Sequence, residues 1–202
     1  MIERAMIRDV VRKLGRSVAL AVVAVILATA ASAAEWIVDV DESRIGFRAT
    51  QMGAQFEGRF HRFSADVRFD PDDPGAGRAA LTVEIASVDT GNAERDEAMQ
   101  TAVWMGAAEH PAATFETDRI EGVGDGRYRA EGRLSLRGTS REVVFPFTFA
   151  LRNGDGDSDV AVVTGEIPVS RTEFGIGRGE FAGDGVIGDR VVIGVELVAT
   201  RP

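Results

Sequence analysis

Arg95 and Asp96, in the polar stretch Ser87–Gln100 (SVDTGNAERDEAMQ), are the side chains best placed by type and context to do chemistry. An arginine there can donate to a carbonyl or pyrophosphate oxygen of a ligand. It can equally pair with an acidic neighbour and tie its segment to the rest of the fold. Thr90 and Arg171 admit the same two readings. Other chemistries find little support. The chain has no cysteine and only two histidines, His61 and His110, far apart in sequence. That excludes thiol nucleophiles and thiolate metal sites, and no two-histidine ligand motif is present. Ser87, Ser135, Ser140 and Ser170 lack the strand-turn-helix setting of a nucleophile elbow. The glycines of RTEFGIGRGEFAGDG lack the setting of a phosphate loop and read as a strand end and loop. Binding without catalysis, cofactor or metal is the expectation.

The elements that must position these residues are dominated by period-two alternation, which sends successive side chains to opposite faces of a strand. Ile45 and Phe47 alternate with polar or small residues, as do Phe56, Gly58 and Phe60. The apolar parity then changes before Phe63, Ala65, Val67 and Phe69, which predicts a bulge or bend. Leu81, Val83 and Ile85 continue the pattern, followed by Tyr128, Ala130, Gly132, Leu134 and Leu136. Val143, Phe145, Phe147, Phe149 and Leu151 form the most aromatic stripe, and Val191 to Ala199 closes the chain. About eight to nine strands joined mostly as hairpins predict an antiparallel barrel or sandwich. Strand glycines at Gly46, Gly58 and Gly132 mark bends, close approaches or simple packing. Between these runs, Asn92–Trp104 (NAERDEAMQTAVW) predicts one inserted helix with Asn92 as N-cap. Its apolar members Met99, Ala102, Val103 and Trp104 can close a barrel end.

Residues 1–33 read as an export signal: Arg12, Lys13 and Arg16, then an apolar run from Ser17 to Ala30, then small residues to a cleavage point after Ala33. The apolar run is shorter than the roughly 20 residues of a spanning helix. Cleavage would remove five basic and two acidic residues and take the formal charge from -9 to -12. A domain that acidic is repelled by nucleic-acid phosphates and anionic lipid surfaces. Residues 34–202 are the length of one domain able to enclose a cavity.

WIVDVDESRIGF, FEGRFHRFSADVRFDP, SVDTGNAERDEAM, HPAATFE, EGRLSLRGTSREVVFPF and RTEFGIG occur in an order that resembles the YceI-like family across all of residues 34–202. Glu97, Ala98 and Met99 depart from the His or Leu that many members carry there. The resemblance implies an all-β fold, an extended lipocalin-like antiparallel β-barrel of about eight strands with one inserted helix. It also implies export to the periplasm and a pore holding a long-chain isoprenoid lipid, a polyprenyl lipid or isoprenoid quinone, or a fatty amide. Each buried methylene contributes roughly 0.8 kcal/mol, so an aromatic-lined tube suits such a chain. Phe47, Phe56, Phe60, Leu81, Val83 and Trp104 are the first lining candidates, with Phe115, Leu134, Phe145, Phe147 and Phe149. The resemblance places the region of Phe174 and Ile176 near the pore as well. A second reading is a stress-related interaction module that packs its core solidly and docks a membrane cytochrome through its acidic surface. A dimer is among the oligomeric states left open.

Overall fold

The computed structural model describes residues 34–153, 159–183 and 185–201, so the expected leader lies outside the described residues. Alternation is realised as β1 (Glu35–Gln51), β2 (Ala54–Phe60), β3 (Phe63–Arg68), β4 (Arg78–Glu84) and β5 (Val88–Asp89). After α1 (Ala93–Gln100) come β6 (Ala112–Gly124), β7 (Arg127–Leu136), β8 (Thr139–Asn153), β9 (Asp159–Ser170) and β10 (Arg190–Thr200). The order is β10-β9-β8-β7-β6-β4-β3-β1-β2-β5, and an additional β10–β1 ladder joins the ends. Because β1 runs the height of the molecule, one part pairs with β2 (Ile45 opposite Phe60) and the other with β3 (Trp36 opposite Val67). Taking β2 with β3, and β4 with β5, as single bent strands gives a closed eight-stranded antiparallel barrel. Closure leaves no long free edge to be protected.

The change of apolar parity after Phe60 is a real break, since β2 ends there and β3 begins at Phe63. Ser87 holds the bend together. Its buried hydroxyl accepts from the Arg62 amide at 3.0 Å and donates to the Glu84 carbonyl at 2.7 Å, while its own carbonyl accepts from the His61 amide at 3.2 Å. Three two-residue hairpin loops, Met52-Gly53, Asp125-Gly126 and Arg137-Gly138, carry positive φ at both positions. Those loops match the right-handed twist of the strands they join.

Inside the barrel the predicted alternation appears directly. Along β7, Tyr128, Ala130, Gly132, Leu134 and Leu136 are buried while Arg127, Arg129, Glu131 and Arg133 are exposed. Gly58 is a close-approach glycine, because a Cβ there would collide with the Phe47 ring and with the Thr90 methyl. Two expectations need correction. Leu151, grouped with the aromatic stripe, is 50% exposed, and Val163, Ala161 and Phe149 fill the inward positions around it instead. The helix ends at Gln100 rather than Trp104. Thr101 turns to an extended conformation and its hydroxyl bonds the Ala98 carbonyl at 2.7 Å, after which Gly106 takes a left-handed φ of 62°. Ala102 and Val103, expected on the inward face, are therefore exposed, whereas Met99 and Trp104 do turn inward.

Candidate ligand-binding site

At the end of the barrel remote from α1, five rings interlock. Trp36, Phe69, Tyr128, Phe147 and Phe149 stand 4.9–6.5 Å apart, mostly edge to face, and Trp36 Nε1 donates to the Phe69 carbonyl at 2.9 Å. These rings form a floor. Above it lies an inner chamber of about 170 Å³. Leu81 and Val83 on β4, Phe115 on β6, Leu134 on β7 and Phe145 on β8 line its sides, while Phe147 and Phe149 reach it from the floor. Among the described residues its wall is formed almost wholly by apolar side chains.

A second chamber of about 420 Å³ opens under α1. Phe56, Met99, Trp104, Ile176 and Phe181 belong to its apolar wall, and Gln51, Asn92, Glu94, Arg95 and Arg171 are its polar members. Phe47 and Phe60 contribute to both chambers. The volume falls within the roughly 300–1,000 Å³ of small-molecule sites. A polar rim over an apolar bore is arranged to take an amphiphile chain first.

The two readings of the polar stretch separate cleanly. Asp96 does the bracing: its Oδ1 accepts from the Thr90 amide at 2.9 Å and from the Thr90 hydroxyl at 2.7 Å, tying α1 to the end of β5. Neither Thr90 nor Asp96 is on a chamber wall. Arg95 is different. Its guanidinium lies 4.2 Å from the centroid of the Phe56 ring, and no ion pair involving it occurs among the described residues. A cation over an aromatic face is held weakly enough to turn its donors toward an incoming acceptor.

Arg171 is only 2% exposed and serves as a clamp. It donates to the carbonyls of Ile176, Phe181, Gly183, Ile187 and Gly188 at 2.7–3.1 Å, gathering the loop that forms one side of the mouth. Full engagement with carbonyls leaves it a positioning role. Phe174, also 2% exposed, belongs to the core and lines neither chamber, whereas its neighbour Ile176 does. The carboxyl of Asp89, near the mouth, is held down to about 2 by hydrogen bonds from His61, the Gly91 amide and Arg59. Burial and then the nearby Arg178 push the Arg137 guanidinium below its ordinary value.

Met105, Leu136, Phe181, Ile187 and Ile193 line the mouth without having been singled out as lining residues from sequence. Leu136 and Ile193 sit in legible alternating stripes. Met105, Phe181 and Ile187 come from irregular segments, where no periodicity exists to reveal which side faces in.

The fold and bore together define a lidded antiparallel barrel with an apolar interior. The chain belongs to the YceI-like family, whose domain profile matches residues 36–199. A protein of Azotobacter vinelandii designated UPF0312 is 32% identical over 122 residues, spanning 59% of this chain and 64% of the relative. The chain thus spans less than two thirds of that relative's length. Among solved structures, Burkholderia cenocepacia BcnA superimposes with a TM-score of 0.75 at 32% identity, covering 80% of this chain and 98% of BcnA. A polyisoprenoid binding domain from Saccharophagus degradans shares the fold with a TM-score of 0.65 at 16% identity, covering 84% and 99%.

Proposed function

We propose that the protein is a periplasmic carrier that sequesters a long-chain isoprenoid lipid in its barrel and catalyses no reaction. The observation that carries this reading is the stacking of two apolar chambers under a helix whose one unpaired arginine sits at the mouth. A chain of buried methylenes gains roughly 0.8 kcal/mol each. Ordering and association return much of that, so only a long chain leaves a useful surplus. The polyisoprenoid named for the Saccharophagus domain gives the chemical class its precedent on the same fold. Export to the periplasm rests on the leader read in residues 1–33, and a quinone or pyrophosphate head group would meet Arg95.

Organic extraction of protein purified from its native compartment, followed by mass spectrometry, tests the proposal. A prenyl lipid at close to one per chain is the expected result. Protein that releases no amphiphile and takes up no added prenyl lipid contradicts it. Docking of a redox partner through the acidic surface would leave the mouth chamber without a use, and it predicts salt-sensitive association by a lipid-free protein.

A further inference from the structure

The two chambers meet at a ring of five side chains that line both: Phe47, Phe60, Met105, Leu136 and Ile193. Four of them stand on β1, β2, β7 and β10 and are fixed by the barrel. Phe47 is further held by Phe56 and Phe60, with ring centroids at 6.0 and 5.9 Å. Met105 alone comes from the segment that follows α1, hung from the helix by its amide to the Met99 carbonyl at 2.9 Å. It is 8% exposed and packs in one core cluster with Leu136, Phe60 and Ile193, which places it in the gap between the strand-borne members of the ring. An unbranched side chain with three rotatable bonds can leave such a gap at small cost, which its branched and aromatic neighbours, anchored on strands, cannot.

The inner chamber, about 170 Å³, is below the size of an independent small-molecule site. It makes sense as an extension of the mouth chamber, reached only when the ring opens. We infer that Met105 is the depth stop of the bore: a short prenyl chain rests above it, and a long one must displace its thioether to enter the inner chamber. Met105 thereby sets which chain lengths are held. The inference rests on the lipid-carrier reading and adds a specificity determinant to it.

Farnesol and solanesol, a short and a long prenyl alcohol, are the probes, with affinities measured by displacement of a fluorescent fatty acid analogue from the purified protein. In Met105→Ala the ratio of solanesol to farnesol affinity should rise about tenfold, equivalent to about 1.4 kcal/mol or two newly buried methylenes. In Met105→Phe the ratio should fall by a similar factor while farnesol affinity changes less than about threefold. Circular dichroism establishes folding, and the alanine variant decides the matter alone if the phenylalanine variant is misfolded. A ratio unchanged in the folded variants overturns the depth stop and leaves the carrier reading standing. Failure of wild-type protein to bind either alcohol overturns both.

Discussion

The two ends of the barrel are built from the same kinds of residue and do opposite things with them. At the floor, Trp36, Phe69, Tyr128, Phe147 and Phe149 pack ring on ring, and each is 9% exposed or less. At the mouth, Phe47, Phe56, Trp104 and Phe181 also pair, yet they surround about 420 Å³ of space. At the floor, Trp36 and Phe69 meet the neighbouring rings Tyr128, Phe147 and Phe149 of β7 and β8, so the ring volumes fill the space between them. Mouth rings are spread around a rim and covered by α1, which itself buries no residue. Whether an aromatic stripe makes solid core or a bore is therefore decided by height along the strand.

Placing a carboxylate at each end should expose that difference most strongly. Phe147→Asp puts an unpaired charge among Tyr128, Phe145 and Phe69, and removes a buried ring whose truncation alone costs about 3–5 kcal/mol. The variant should unfold outright, read by circular dichroism. Phe56→Asp, at the half-buried mouth, should fold and lose bound lipid. A folded Phe147→Asp would mean the floor is not solid.

Next in size is the clamp. Arg171→Met strips the donors from a set of loop carbonyls and should cost about 3 kcal/mol in denaturant unfolding, since unsatisfied groups cost about 1–3 kcal/mol each and water recovers some of them. Hydrogen exchange should speed up in residues 176–188 and stay unchanged in β7 and β8 on the floor side. Uniform acceleration would assign Arg171 to the global core instead.

A smaller effect belongs to Arg95→Gln, which removes a partly exposed cation–π contact of about 0.5–1 kcal/mol. Stability should barely move. Affinity for a prenyl diphosphate should drop about tenfold while that for the matching prenyl alcohol holds, because only the charged acceptor uses the guanidinium. Equal losses for both ligands would show that Arg95 acts by packing on Phe56.

The smallest effect is a pH dependence at the mouth. Asp89 has its pKa lowered from 3.8 to about 2, so its contribution to stability is present above the ordinary carboxyl value and is lost as pH falls toward 2. Asp89→Asn should flatten the stability profile between about pH 4 and 2, with its loss of stability seen at neutral pH and vanishing as pH approaches 2. A profile unaltered by the substitution would remove Asp89 from the acid response.

Much of the barrel was legible because period two is a strong signal: the dry faces of β7 and β8 and the break after Phe60 follow from alternation alone. The helix was legible at its start, where Asn92 Oδ1 accepts from the Arg95 amide at 3.0 Å, and overextended at its end. Propensity carries no information about Thr101 turning out of the helix to seat Trp104 and Met105 under it. The division of labour between Asp96 and Arg95 was equally hidden, since adjacent charges in sequence do not reveal which one reaches Thr90 and which lies on Phe56. The bore itself depends on which of many similar phenylalanines meet across the barrel, a property of closure rather than of any one strand.

The bore's use can be read directly from methionine methyl NMR, because the described residues carry only Met52, Met99 and Met105. Met52 is 81% exposed on a hairpin loop, Met99 lines the mouth, and Met105 lies at the ring between the chambers. On titration with solanesol the Met99 and Met105 methyl signals should shift and saturate at one ligand per chain, with Met52 unmoved. Saturating addition that shifts Met52 alone, or none of the three, would contradict a lipid held inside this barrel.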